Sequence, residues 1–171
     1  MIKIEIPFSK IKLIIGSTFS FLFVLGGFFM LISINNEYFL YNLFIKTFGI
    51  LGILFFGTTF VYGAIRLFDN KPGLTINDNG IIDNSNMSSI GLIEWIDIKE
   101  IKTKDYNSTS FLLLFLYDND KYLNKASGFK RKLMKGNLKK YKTPISIISN
   151  TLDCKFDELA TEIKENFMKK R

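Results

Sequence analysis

The chain has 171 residues, a formal net charge of +7 and no histidine. The missing histidine removes the commonest general base and the commonest metal ligand, and the single cysteine, Cys154, excludes an intrachain disulfide. No motif calls for a cofactor, so we expect no cofactor and no enzymatic activity. Apolar residues are concentrated between residues 11 and 68, while the later residues have mixed polarity and suffice for one small core.

Two apolar segments near the N-terminus are long enough to cross a membrane. The first spans residues 11–33, about 34 Å as a helix, and the second spans residues 47–65 between Lys46 and Arg66. Since a hydrocarbon core is about 30 Å thick, each segment predicts one transmembrane helix. We therefore expect a cytoplasmic tail at 1–10, a transmembrane hairpin at 11–68 and a separate cytoplasmic domain at 69–171.

The charges beside the spans predict the orientation. The connection between the spans contains Lys46 and the acid Glu37, with Tyr38 and Tyr41 suited to the lipid–water interface. Basic residues next to spans remain in the cytoplasm, so we expect both termini there. The basic residues that flank the spans on that side are Lys3, Lys10, Lys12, Arg66 and Lys71.

Small residues recur on one face of each predicted span. Small faces let helices approach closely in lipid, so these two faces are expected to pack against each other. A dimer interface, or the ordinary glycine content of membrane helices, would give the same pattern. The face comprises Gly16, Ser20 and Gly27 in the first span and Gly49, Gly52, Thr59 and Gly63 in the second.

After Arg66, short β-favouring runs alternate with turn residues. Asp78-Asn79-Gly80 predicts a hairpin, because Asn-Gly tolerates positive φ at both turn positions. The expected strands are 73–77, 80–83, one or two bent strands within 90–101, 111–117 and 144–149. The expected loops are 83–89 and 103–110, with a hairpin turn at 118–120.

The last segment predicts an amphipathic helix. Phe156, Leu159, Ile163 and Phe167 have the spacing of one helical face. Acidic residues at its start and basic residues at its end complement the helix dipole: Asp157 and Glu158, then Lys169, Lys170 and Arg171. Antiparallel strands closed by one C-terminal helix predict an α+β fold.

Three stretches resemble a family of uncharacterised bacterial membrane proteins with two N-terminal transmembrane helices and a pleckstrin-homology-like domain. They are IEIPFSKIKL (4–13), KPGLTINDNGIIDNSNMSSIGLIEWIDIKEI (71–101) and PISIISNTLDCKFDEL (144–159). The most recognisable piece is Trp95-x-Asp97-Ile98-x-x-Ile101. The resemblance implies a strongly bent antiparallel sheet with one end closed by the C-terminal helix, in a protein of the bacterial inner membrane. It implies no reaction.

Nine positive residues and no acid lie between Lys121 and Lys142. Phe129, Leu133 and Met134 lie among them and would form an apolar stripe on a helix. Such a segment is attracted to the anionic headgroups of a cytoplasmic leaflet. A solvated excursion that packs its apolar residues on the core, or a surface for an acidic protein, would explain the same pattern. The candidate surface comprises Lys125, Lys130, Arg131, Lys132, Lys135, Lys139, Lys140 and Lys142.

Other candidate sites have structural interpretations. Glu94 and Asp97 are three apart in an expected strand, which would direct their side chains to opposite faces. Trp95 is expected to be a core residue at the bend. Nucleic acid is not an expected partner, because the domain is tethered to a membrane and its aromatic residues do not suggest a stacking platform.

These features together favour a non-enzymatic, membrane-tethered module that presents a basic surface for interaction. One alternative is an immunity protein that binds a toxin at the inner membrane. Another is an assembly subunit of a membrane complex, joined through the small-residue faces or by self-association.

Overall fold

The computed structural model describes residues 3–33, 38–106 and 109–170. The chain forms two compact units, with helices and antiparallel sheets both well represented. One unit, the helical hairpin, is Lys10–Asn70. The other, the sheet domain, combines the residues up to Ser9 with those from Lys71 onward.

The helical hairpin consists of α1 (Lys10–Ser33) and α2 (Phe39–Leu67). Both helices are long and apolar enough to cross a membrane, which confirms the two predicted apolar helices. Large side chains such as Phe48 and Leu54 remain mostly exposed, so the hairpin leaves most of its apolar surface uncovered. Such a surface is expected where the surroundings are lipid.

Helix α2 begins earlier than predicted. The predicted span started at Thr47, because Lys46 was treated as a boundary, but Lys46 and Tyr41 lie inside α2 and Tyr38 is its N-cap residue. No glycine or proline interrupts residues 39–48, so the helix continues past the charge. A lysine near a helix end can extend its ammonium group toward water. Glu37 lies outside the described residues.

The sheet domain contains two antiparallel sheets. The first is formed by β1 (Ile4–Ile6), β2 (Leu74–Ile76), β3 (Gly80–Asp83) and β4 (Gly91–Glu94). The second is formed by β5 (Ile98–Tyr106), β6 (Thr109–Leu116) and β7 (Ile145–Ile147). Helices α3 (Asn119–Lys125) and α4 (Gly128–Tyr141) connect β6 to β7, and α5 (Phe156–Lys170) ends the described chain.

Strand β1 lies in the segment predicted to be a tail. Ile4 and Ile6 pair with Ile76 and Leu74 of β2, so the residues before α1 and after α2 belong to one sheet. The connection continues past β1, where Phe8 forms a bridge with Leu152 and is buried. The helical hairpin is therefore an insertion between two paired strands.

The hairpin predicted at residues 78–80 is present between β2 and β3, but its turn differs. The Asn77 side chain accepts hydrogen bonds from the backbone N–H groups of Asn79 and Gly80, at 2.9 and 3.1 Å. Asn79 does not have positive φ, so the side chain of Asn77 stabilises the turn instead. A Cβ atom at Gly80 would collide with the carbonyl oxygen of Ile93, which explains the glycine.

The loop predicted at 103–110 is wrong where the structure describes it. Strand β5 continues to Tyr106, and β6 begins at Thr109. Lys102 and Lys104 alternate with Ile101 and Thr103, a period-two pattern that is typical of a strand. Asn107 and Ser108 lie outside the described residues. The bend predicted within 90–101 is present as a 3-10 turn, Trp95–Asp97, between β4 and β5.

The C-terminal helix was predicted correctly. Leu159, Ile163 and Phe167 of α5 are buried in the core between the sheets and the helix. Trp95 is also buried, its ring centroid lies 6.4 Å from that of Phe167, and its Nε1 donates a hydrogen bond to the carbonyl of Asn77. Arg171 lies outside the described residues.

Candidate functional site

The basic segment between β6 and β7 folds as two helices. Asp118 begins α3 as its N-cap, accepting hydrogen bonds from the backbone N–H groups of Asp120 and Lys121. The hairpin turn predicted at 118–120 is therefore wrong, because the carboxylate caps a helix. Helix α4 ends at Tyr141, and its C-cap Lys142 has a left-handed conformation (φ 65°) and donates its N–H to the carbonyl of Leu138.

One face of these helices belongs to the core. Tyr122 and Leu123 of α3 and Met134 and Tyr141 of α4 are buried. The predicted apolar stripe is divided, because Met134 is fully buried whereas Phe129 is exposed. The segment thus has the core contacts expected of an excursion between strands, and its opposite face remains for other contacts.

Part of the predicted basic surface lies on the face of α4 opposite its core contacts. Lys132 and Lys139 lie about 160° around the helix from Met134 and Tyr141 respectively, at about 100° per residue. No salt bridge joins any of the eight cations to a carboxylate among the described residues. All eight are exposed: Lys125, Lys130, Arg131, Lys132, Lys135, Lys139, Lys140 and Lys142. Their charges are therefore available to an anionic partner.

Aromatic rings hold two of these lysines. The Lys140 ammonium lies 3.8 Å from the ring centroid of Tyr106, and the Lys125 ammonium lies 4.6 Å from that of Tyr122. A hydrogen bond to Tyr141 raises the pKa of Lys140, so it stays charged at neutral pH. Arg131 donates to the side chain of Asn124 at 3.1 Å, a contact between the two helices.

Strand β5 extends the basic surface in a way that sequence reasoning missed. The Lys104 ammonium lies 5.9 Å from the ring centroid of Tyr141, the same ring that contacts Lys140 on α4. Lys102 also lies over a ring, that of Phe115, and pairs with Glu100. The alternation of lysines in β5 was the signal, but assignment of residues 103–110 to a loop concealed it.

Lys121 differs from the other cations because it is paired. Its ammonium donates to Asp97 at 2.6 Å and lies 3.5 Å from Glu94, so the two carboxylates converge rather than facing opposite sides. They converge because residues 95–97 form a 3-10 turn, which breaks the alternation of a strand. Partial burial opposes ionisation of Asp97, but hydrogen bonds from Lys121 and Tyr122 hold its pKa below the usual value.

Tyr122 completes this contact between α3 and the turn. Its hydroxyl accepts from the N–H of Glu94 at 3.1 Å and donates to Asp97 at 2.6 Å. Burial, followed by the bond to Asp97, raises the pKa of Tyr122. These bonds attach α3 to the bend at Trp95–Asp97, and this attachment explains the geometry of the cluster.

Four residues of the predicted helix-packing face lie between α1 and α2. A Cβ atom on Gly27 would be 2.7 Å from Ile53, and one on Gly49 would be 3.2 Å from the Gly27 carbonyl. Gly63 faces Ser17, a buried serine that the prediction did not include, and Ser20 is buried as well. The small residues thus permit close packing within one hairpin.

The other three members of that face lie elsewhere. A Cβ atom on Gly16 or Gly52 would meet no atom within 4 Å, and Thr59 is exposed with its hydroxyl bonded to the Phe55 carbonyl. They lie outside the contact because the surface shared by α1 and α2 is narrower than the face predicted from the sequence. Aromatic contacts occupy the adjoining positions, including a stacked pair of Phe23 and Phe56 with centroids 4.3 Å apart.

A buried carboxyl group lies at the end of β3. Asp83 accepts hydrogen bonds from the N–H of Ser85 at 2.9 Å and the hydroxyl of Ser89 at 2.7 Å. Burial raises the pKa of Asp83, and the bonds from Ser85 and Ser89 offset only part of that effect. These bonds organise the polar loop 84–90, in which Asn86 also donates to the carbonyl of Ser146 on β7.

We expect Asp83→Asn to remove a pH dependence of stability. Because the folded pKa of Asp83 is raised, its contribution is most favourable below the ordinary aspartate pKa and is lost as pH rises through the raised value. The free energy of urea unfolding, measured from pH 4 to pH 8, should fall less with pH in Asp83→Asn than in the parent. Exposed Asp153→Asn is the control. Identical pH profiles for Asp83→Asn and the parent would contradict the assignment.

Comparison with known proteins gives no match: no protein-family model, curated protein or solved structure matches this chain. The two apolar helices followed by a sheet domain are therefore established by the structure alone.

Proposed function

We propose that the protein is a non-enzymatic, membrane-tethered interaction module whose basic surface docks on anionic lipid headgroups. The observation that carries the proposal is a set of eight exposed cations on α3, α4 and the C-cap of α4, none of which forms a salt bridge with a carboxylate among the described residues. Three of them, Lys132, Lys135 and Lys139, lie on the side of α4 away from Met134. Near an anionic leaflet each such lysine contributes about 1 kcal/mol of attraction. Exposed charge that forms no salt bridge gives little to stability, so its concentration in this one segment favours a role in binding.

The helical hairpin is proposed to anchor the module in the membrane. Pairing of β1 with β2 supports an arrangement in which the chain enters and leaves the membrane on the same side. The basic residues next to the hairpin, Lys3, Lys10, Lys12 and Lys71, favour the cytoplasm as that side. Arg66 belongs to the same set, and both it and Lys3 pair with a carboxylate, Asp69 at 2.7 Å and Glu5 at 2.5 Å respectively.

We further propose that the sheet domain is pleckstrin-homology-like, in a bacterial inner-membrane protein. Four antiparallel strands, then three, and a closing C-terminal helix are compatible with the fold that the sequence resemblance implies. Trp95 and Asp97 of the recognisable motif have structural contacts at the bend, which agrees with a role in the fold. Such a fold does not by itself determine a ligand, so the lipid proposal rests on the charges.

Vesicle binding tests the lipid proposal. A soluble version would join residues 1–9 through a short Gly/Ser linker to residues 70–171, so that β1 is retained. We expect it to co-sediment with anionic vesicles and not with neutral ones, and to bind more weakly as salt shortens the screening length to about 8 Å. Replacing Lys132, Lys135 and Lys139 with glutamine should weaken binding about a hundredfold at low salt, at about 1 kcal/mol for each lysine.

A matched variant distinguishes the effect of the basic surface from the effect of total charge. Lys99, Lys155 and Lys169 are exposed elsewhere on the domain, and their replacement with glutamine removes the same charge. We expect this control to bind nearly as well as the parent. Equal losses in both variants would show attraction by net charge alone, and absence of binding by the parent would refute the lipid role.

A further inference from the structure

Phe129 is the most exposed aromatic residue of α4. Its side chain is 62% accessible, although it follows a glycine in the first turn of a helix that buries other apolar residues. On the helix surface it lies about 140° from buried Met134 but only about 20° from Gly136 and Lys140 and about 60° from Lys132, at about 100° per residue. A Cβ atom on Gly136 would meet nothing within 4 Å, so this side of α4 is also open at Gly136.

The surroundings of Phe129 are cationic. Lys132, Lys139 and Lys140 lie within about 80° of it around the helix, at about 100° per residue, and all three are exposed. Another strongly exposed apolar residue of the domain, Ile96 (80%), has acidic Asp97 beside it instead. The combination of a bare ring with a cluster of cations matches the chemistry of an anionic membrane surface, where headgroups cover an apolar layer.

We infer that Phe129 inserts its ring into the boundary between headgroups and acyl chains of an anionic leaflet, while the neighbouring cations contact the headgroups. This inference rests on the proposed lipid-docking function and names the residue that penetrates the bilayer. Interfacial helices bury apolar side chains about 5–10 Å into this boundary. Charge attraction weakens with salt, whereas burial of the ring does not, so Phe129 supplies the salt-resistant part of docking.

The test uses the full chain in lipid vesicles. Phe129→Trp would be reconstituted into vesicles that contain lipids with brominated acyl chains, which quench nearby tryptophan fluorescence. The parent, with buried Trp95 as its single tryptophan, gives the background. Ile96→Trp is the matched control, because it places tryptophan at another exposed apolar position, where the adjoining charges include the carboxylates of Glu94 and Asp97. Unfolding of each variant is measured in detergent, to verify that these exposed substitutions leave the fold intact.

We expect Phe129→Trp to lose fluorescence in proportion to the brominated lipid in anionic vesicles, and to match the parent in neutral ones. Ile96→Trp should match the parent in both. No quenching of Phe129→Trp in anionic vesicles would overturn insertion, and equal quenching in neutral vesicles would overturn the part assigned to the cations.

The vesicle-binding assay with the soluble version distinguishes failure of the insertion inference from failure of the proposed lipid-docking function. Loss of binding when Lys132, Lys135 and Lys139 are replaced, together with unquenched Phe129→Trp, would leave lipid docking standing and reject insertion. Unquenched Phe129→Trp with no vesicle binding by the parent domain would reject both. Quenching in anionic vesicles, with about tenfold weaker binding of soluble Phe129→Ala at high salt, would support insertion as the salt-resistant contact.

Discussion

Ile163→Asp is expected to unfold the sheet domain while leaving the helical hairpin intact. Ile163 is fully buried on α5 within the hydrophobic core. Removal of a buried aliphatic side chain costs about 2–5 kcal/mol, and the aspartate adds a buried charge without a partner. Because the free energy of unfolding of a small domain is only about 5–15 kcal/mol, the combined cost approaches or exceeds the stability of the domain.

Trp95 provides the measurement for this prediction. It is the single tryptophan, and it packs near Phe167, which lies on α5 together with Ile163. Its fluorescence therefore reports on the docking of α5 rather than on the hairpin. In detergent, Ile163→Asp should show the emission of exposed tryptophan and no cooperative thermal transition. Thr161→Asp adds the same charge at an exposed position of α5, and should change stability by about 0.5 kcal/mol or less. Matching transitions in the two variants would mean that α5 does not support the core.

The long periodic elements could be predicted from sequence, because each contains its own signal. The two apolar helices follow from uninterrupted hydrophobicity, and α5 follows from the spacing of Leu159, Ile163 and Phe167. Strand β6 followed from its apolar run, and the bend near Trp95 from charged residues within an apolar segment. None of these inferences needed information about distant contacts.

The elements that were missed depend on partners far away in sequence. Strand β1 has three residues, and its pairing with β2 bridges the whole helical hairpin, so no local pattern reveals it. At Asp118 the local signal was ambiguous, because aspartate favours both turns and helix N-caps and the helix that follows decides between them. In β5, alternating lysines resembled a loop because the strand exposes most of its side chains.

The candidate surface was only partly predictable for a related reason. The run of basic residues was visible in sequence, but which apolar neighbours face the core was not. Met134 and Phe129 are both apolar residues of one helix, and only the packed structure assigns the first to the core and the second to the surface. The contribution of Lys104 needed the ring of Tyr141, which approaches it from another element.

Removal of β1 is expected to destabilise the sheet domain strongly. Sequence analysis alone would favour residues 71–171 as an independent fragment, but that fragment lacks Ile4, Ile6 and Phe8. The two isoleucines pack against the core, and Phe8 is buried next to Gly73 and Leu152. Full burial of one such side chain contributes about 1.5–3 kcal/mol, so the missing segment accounts for several kcal/mol. Its absence also leaves β2 as an unprotected edge, which promotes association between copies.

Urea unfolding followed by Trp95 fluorescence would measure this contribution. The fragment 71–171 should unfold at a much lower urea concentration than the version in which residues 1–9 are linked to residues 70–171. A third version keeps the linker and chain length but replaces Ile4, Ile6 and Phe8 with serine, and it should be about as unstable as the short fragment. If all three versions unfolded together, β1 would contribute nothing and the first sheet would begin at β2. If the linked version alone is stable, residues 4–8 must pair with the sheet domain before that domain can complete its fold. Because these residues precede α1 and the rest of the domain follows α2, both ends of the hairpin must then lie on the same side of the membrane. Folding of the domain would therefore depend on the membrane topology of the hairpin.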